Sequence, residues 1–162
     1  MTAVEGTSPP AATRPEGTRS PPTGFTTDEV RRLADAFERC DIPRAAWTHH
    51  AHLVVALWYL VCYGPDEGGE RVRVGIQRLN AANGVPQTPD GGYHETITRF
   101  YLWAIHRHVA AAPRDASIGT LANTLIAAWG DKNRPLEYYS RDRLMAWEAR
   151  TAWVEPDLKR LE

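Results

Sequence analysis

The sequence lacks an excess of charge of either sign. Lysines and arginines number 19 against 20 aspartates and glutamates, which gives a net charge of −1 with neutral histidines. A nucleic-acid groove or a site for anionic membranes needs concentrated positive charge, so we expect neither partner. No apolar run reaches the roughly 20 residues that span a bilayer, and the N-terminus does not resemble a secretory signal. The sequence therefore predicts a cytoplasmic protein that is not embedded in a membrane.

Cysteine is also scarce, and the motifs of nucleotide cofactors are missing. Cys40 and Cys62 lie far apart and form no CxxC pair, so we expect reduced thiols and no disulfide framework. Neither GxGxxG nor a phosphate-binding GKS or GKT motif occurs, so we expect no nucleotide cofactor. Strand-like alternation of apolar and polar residues is lacking too, which leaves helices as the expected structure.

The chain divides into a tail and one helical domain. Residues 1–24 are rich in Pro, Gly, Ser and Thr and predict a disordered tail, while residues 25–162 predict an all-α bundle of five or six helices. Thr26 and Glu29 form a capping box before the first helix, which ends near Pro43. The further helices are predicted from near Thr48 to 63, over 70–82, from Tyr93 to before Pro113, over 118–129 and after Ser140, with loops over 64–69 and 85–92.

The most distinctive segment is residues 47–53, with sequence WTHHAHL, which leads into a helix that is apolar on all sides. A helix of this kind is buried, so the histidines at its start are expected to be partly buried and to need polar partners. His49 and His52 are three residues apart and lie about one helical turn from each other. His94 and Glu95 open a second apolar helix. Two such helix starts predict a shared polar pocket.

The residue types in this pocket suggest a metal site. His49, His52, His94 and Glu95 are the candidate ligands of one divalent iron or zinc ion, since two or three imidazoles with a carboxylate suit both metals. Iron would support an oxygenase or oxidase and is slightly favoured; zinc would support a hydrolase or lyase. Glu95, His94 and Tyr93 are the candidate catalytic residues, with Glu95 as ligand or base. The HExxH spacing of the better-defined metal sites is missing.

Aromatic and basic residues predict where a modest organic substrate binds. Trp47, Tyr59 and Tyr101, together with Trp58 and Tyr93, are expected to wall the pocket. Arg141 and Arg150 lie in a polar C-terminal segment and are candidates for binding a substrate carboxylate. Helix caps and surface ion pairs are the simpler interpretation of that segment.

Two other classes of function stay open. A metal-free enzyme, such as an isomerase, cyclase or dehydratase, could use a half-buried His/Glu pair to move protons. A non-catalytic binding or accessory protein needs these side chains only as helix caps and packing residues. The apolar helix can be buried either within a monomer or at the interface of a homodimer, and the sequence does not choose between them.

Three motifs resemble those of a family of small, uncharacterised bacterial helical proteins. They are WTHxxHL at residues 47–53, NGVP at 83–86 with GYHET at 92–96, and SRDRLMAWEAR at 140–150. The resemblance covers most of the chain after residue 24. It implies a shared helical fold and carries no implication about a substrate.

Overall fold

The structure is a computed structural model that describes residues 24–162; the predicted tail lies, apart from Gly24, outside the described residues. The described part contains six helices and no strand beyond one isolated bridge between Thr88 and Gly91. The helices are α1 (Thr27–Glu38), α2 (His49–Ala82), α3 (Glu95–Ala111), α4 (Ile118–Trp129), α5 (Arg141–Met145) and α6 (Trp147–Thr151). Two 3₁₀ turns, Arg44–Ala46 and Arg134–Glu137, precede α2 and α5. The predicted all-α fold is confirmed.

The capping box at the start of α1 is confirmed. Thr26 Oγ1 accepts from the backbone N–H of Glu29 at 3.2 Å, and Glu29 Oε2 accepts from the backbone N–H of Thr26 at 2.7 Å. Two of the unpaired amides at the helix start are thereby satisfied. The helix buries Val30, Ala34 and Phe37, which places one face of α1 on the core.

The predicted loop over residues 64–69 is wrong. Only Gly64 leaves the helical conformation, with φ 79° and ψ 175°, and Pro65 starts the second segment of α2 directly after it. Proline suits that position because the first N–H groups of a helix have no intrahelical partner. Gly68 is buried, and a Cβ there would lie only 2.5 Å from the carbonyl oxygen of Tyr59 in the first segment. Gly68 therefore allows the two segments of α2 to pack closely.

The last predicted helix is also corrected. It is divided into α5 and α6 at Ala146, whose backbone is extended with φ −62° and ψ 147°. Ser140 caps α5 as predicted, with its side chain accepting from the backbone N–H of Arg143. α5 and α6 contact each other, and α6 contacts α3, so this corner lies against the start of α3.

The core surrounds the first segment of α2, which contacts α1, α3 and α4. Leu53, Val54, Val55 and Leu57 are almost completely buried, as expected for a helix that is apolar on all sides. Phe100 of α3 is fully buried among aromatic rings. No helix between residues 24 and 162 combines the length and apolar character needed to cross a membrane. The N-terminal end of α2, which bears His49 and His52, faces α3 and the loop before it.

Candidate functional site

A cavity of about 430 Å³ lies between α2, α3 and the loop that joins them. Most of its walls are aliphatic or aromatic. Its polar groups come from residues near the starts of both helices and from Asn80 and Thr98. Six residues singled out by the sequence line it, namely Trp47, His49, His52, Tyr93, His94 and Tyr101. The two histidine-bearing helix starts therefore do converge on one pocket.

The imidazole of His52 is the most clearly defined polar group in the cavity wall. Its Nδ1 lies 2.8 Å from the carbonyl oxygen of Thr48, which can only accept, so Nδ1 carries the proton. Its ring lies against the indole of Trp47, with centroids 3.9 Å apart. Burial lowers the pKa of His52 to about 4, so the ring is neutral at neutral pH. Nε2 is consequently an acceptor, and it has no hydrogen-bond partner among residues 24–162.

His49 has a similar arrangement at the other side of the helix start. Its Nε2 lies 3.3 Å from the carbonyl oxygen of Trp129 and therefore donates to it. Its ring packs against Tyr101, with centroids 4.8 Å apart, and the Tyr101 hydroxyl donates to the carbonyl oxygen of Asp131. Burial lowers the pKa of His49. Nδ1 is left as an acceptor without a partner in the described part of the chain.

His94 uses both ring nitrogens to hold the structure together. Nε2 donates to the carbonyl oxygen of Leu144 at 2.9 Å, and Nδ1 accepts from the backbone N–H of Ile97 at 3.3 Å. His94 is thus the N-cap of α3, which agrees with the capping role considered from the sequence. Burial lowers its pKa, so it stays neutral. It lines the cavity, but both of its nitrogens are already bonded.

Glu95 points away from this cavity and lines a neighbouring cleft. Its Oε1 accepts from Arg73 Nη2 at 2.6 Å, and its Oε2 accepts from the Tyr93 hydroxyl at 2.6 Å. Burial and this hydrogen bond raise the pKa of Tyr93. His94 is the N-cap with an extended backbone and Glu95 is the first residue of α3, and their side chains line different clefts. The structure therefore does not bring the proposed His94–Glu95 pair to one reacting centre.

The four candidate metal ligands do not form one coordination group. Across residues 24–162, no three His, Cys, Asp or Glu side chains are placed so that they could hold a metal ion. His94 is already bonded at both nitrogens, and Glu95 is paired with Arg73 in the other cleft. His49 and His52, which line the cavity, each keep one ring nitrogen that has no hydrogen-bond partner among residues 24–162.

The remaining candidate residues lie elsewhere. The Tyr59 hydroxyl donates to Glu38 outside the cavity, and Arg141 is exposed at the start of α5. Arg150 is buried and donates through Nε to the carbonyl oxygen of Pro89 at 2.9 Å. Its Nη1 lies 3.4 Å from the carbonyl oxygen of Tyr93, so Arg150 holds the loop before α3 against α6.

Trp47 lies in the cavity wall, where its residue type predicted it, but its unsatisfied donor has no signal in the sequence. Trp47 Nε1 is buried and has no hydrogen-bond partner among the described residues. Buried tryptophan N–H groups usually find an acceptor, because an unmade hydrogen bond in the interior is costly. No pattern in the sequence marks this atom, since its isolation depends on how Trp47 packs between Phe37 and His52.

Comparison of the chain with protein-family models, with curated proteins and with solved structures gives no match.

Proposed function

We propose that this protein binds a compact, largely apolar organic molecule carrying a hydroxyl group in the cavity between α2 and α3. The observation that carries the proposal is the unbonded Nε2 of His52 in an otherwise mostly apolar wall. The volume of about 430 Å³ falls in the range of small-molecule sites, roughly 300–1,000 Å³. Such sites combine apolar walls with a few polar groups that fix the orientation of the ligand.

The polar groups favour a hydroxyl over a charged group. A neutral imidazole with its proton on Nδ1 offers an acceptor at Nε2, which suits a donor such as a hydroxyl. The same oxygen can also accept a hydrogen bond, and the hydroxyl of Thr98 in the cavity wall can donate one. Of the described residues that line this cavity, Arg44 is the one with a charged side chain, and it is exposed. An ionised ligand buried against the other walls would lose its hydration with little compensation.

Binding is better supported than proton transfer. A general base works best when its pKa lies near the working pH, whereas burial holds His52 near 4. His52 then acts as a hydrogen-bond acceptor at neutral pH. The His94–Glu95 pair, which the metal-free enzyme alternative requires, is divided between the cavity and the neighbouring cleft.

Phenol and toluene are suitable probes because they differ by the hydroxyl and are similar in size. We expect phenol to shift the amide resonances of cavity residues in a protein-observed NMR titration and to bind more tightly than toluene. His52→Leu should weaken phenol binding by about tenfold, the loss of one hydrogen bond of about 1.4 kcal/mol. His50→Leu is the matched control, because His50 is exposed on the same helix turn and does not line the cavity. Equal phenol affinity in the wild type and His52→Leu would overturn the proposal.

A metal-dependent enzyme is the second candidate, favoured by the unbonded nitrogens of His49 and His52 in one cavity wall. An ion held by two imidazoles leaves several positions for water or substrate. Elemental analysis after anaerobic reconstitution with Fe(II) or Zn(II) tests it in the wild type, His49→Ala and His52→Ala. One equivalent that is lost in both folded variants would support this candidate. Metal retained in both variants, or none in the wild type, would exclude it.

A further inference from the structure

A second cleft, of about 520 Å³, lies beside the proposed cavity. The two share Asn80, Val85 and Tyr93 as lining residues, so they are separated by a thin wall. The cleft is more polar than the cavity. Its wall includes Arg73, Gln77, Gln87, Glu95 and Arg150.

Arg150 carries a positive charge that the described residues do not neutralise. Its side chain is buried, with the residue only 8% exposed, yet no carboxylate of residues 24–162 lies within 4.0 Å of it. Its protein partners are the carbonyl oxygens of Pro89 and Tyr93, bonded to Nε and Nη1. Buried arginines are normally paired with an anion, because removing a charge from water is costly. Nη2 has no partner in the described part of the chain.

The other charges around the cleft compensate one another. Glu95 is bonded to Arg73 through both carboxylate oxygens, at 2.6 and 3.3 Å, and lies 3.8 Å from Arg99. Arg73 is also paired with Glu70 at 2.6 Å. The positive charges of Arg73, Arg99 and Arg150 thus exceed the negative charges of Glu70 and Glu95 by one. Arg150 is the arginine of this group without a carboxylate partner.

We propose that this cleft is a second binding site, for the carboxylate of a small organic monoanion. The carboxylate would accept from Arg150 Nη2, and the side-chain amide of Asn80 in the same wall can donate to it. One uncompensated charge matches a monocarboxylate better than a phosphate dianion. This site goes beyond the proposed cavity, which lacks Arg150 in its wall.

The test places a competing carboxylate in the cleft without touching the bonds of Arg150. Gln77 is exposed, and its side chain makes one hydrogen bond, to the carbonyl oxygen of Arg73 at 3.3 Å. Gln77→Glu should occupy the free side of Arg150. Gln77→Met controls for the loss of the amide, and Ala127→Glu, on the exposed face of α4, controls for the added charge. Each variant is checked for folding by circular dichroism.

Calorimetric titrations at pH 7.5 and fixed ionic strength then use benzoate, toluene and inorganic phosphate as probes; toluene has neither the carboxylate nor the hydroxyl for which the first cavity is proposed. We expect benzoate to bind the wild type more tightly than either other probe. Its affinity should fall at least tenfold in Gln77→Glu and less than threefold in the two controls. Absence of benzoate binding, equal binding of toluene, or equal losses in Gln77→Glu and Ala127→Glu would overturn the proposal. Gln77→Glu should leave phenol affinity unchanged and His52→Leu should leave benzoate affinity unchanged, so the two sites can fail independently.

Discussion

The imidazole of His52 lies against the indole of Trp47, with ring centroids 3.9 Å apart and planes inclined by 32°. This contact removes one face of the imidazole from water, while the bond from Nδ1 to Thr48 fixes the tautomer. Desolvation is the main cause of the lowered pKa, and the nearby His49 adds to it. The hydrogen bond to Thr48 thereby sets Nε2 as the acceptor nitrogen, and the contact with Trp47 helps to keep the ring neutral.

The first prediction concerns the pH dependence of stability. Well above pH 6.5, His52 is neutral in both the folded and the unfolded protein, so no free energy of unfolding is lost through its protonation. Between pH 6.5 and about 4, the unfolded state binds the proton first, and the free energy of unfolding falls. The loss attributable to His52 should be about 3 kcal/mol at most. Urea unfolding at pH 7.5 and 4.5 measures it.

His52→Gln is the control for this pH dependence, since glutamine does not titrate. The variant should lose less stability than the wild type between pH 7.5 and 4.5. Part of the loss should persist, because the pKa values of His49 and His94 are lowered by burial as well. An identical loss in the two proteins would contradict the assignment to His52.

The second prediction separates the two bonds of His94. His94→Ala removes the cap on Ile97 N–H and leaves the carbonyl of Leu144 without its donor, so it should cost about 2–3 kcal/mol of unfolding free energy. His94→Asn keeps a capping side chain but is too short to replace the ring at Leu144, and it should cost about half as much. Chemical denaturation measures both variants. Equal losses would show that the cap on the backbone N–H of Ile97 contributes little.

Local signals predicted much of this fold, and tertiary contacts account for the differences. The capping box at Thr26 and Glu29 and the burial of the first segment of α2 follow from patterns within one helix. Convergence of His49, His52 and His94 on one cavity was also expected. The orientation of Glu95 was not predictable, because it depends on Arg73, 22 residues away. Likewise, the partners of His94 include Leu144, which lies 50 residues along the chain.

The third prediction concerns Glu95, which we place in a charge network rather than in a catalytic pair. Glu95→Gln keeps the size of the side chain but removes the charge that balances Arg73. Arg73 is about one-third exposed and keeps Glu70 as a partner, so we expect a moderate loss of about 1–2 kcal/mol of unfolding free energy. Adding Arg73→Met to Glu95→Gln should recover part of it, because both charges are then gone. The double-mutant cycle is measured by urea denaturation; a double variant no more stable than Glu95→Gln would contradict the pairing.

The fourth prediction uses two neighbouring glycines inside α2 that sequence analysis assigned to a loop. A Cβ on Gly68 would meet the carbonyl oxygen of Tyr59 at 2.5 Å, and backbone cannot easily move away, so Gly68→Ala should cost about 1–3 kcal/mol. At Gly69 the nearest atom is Leu102 Cδ1 at 3.6 Å, an ordinary contact. Gly69→Ala should therefore stabilise the protein by about 0.5–1 kcal/mol, as alanine does in a helix interior. Opposite shifts of the urea midpoint would confirm that residues 64–69 contain a single-residue break; similar shifts would instead favour the loop.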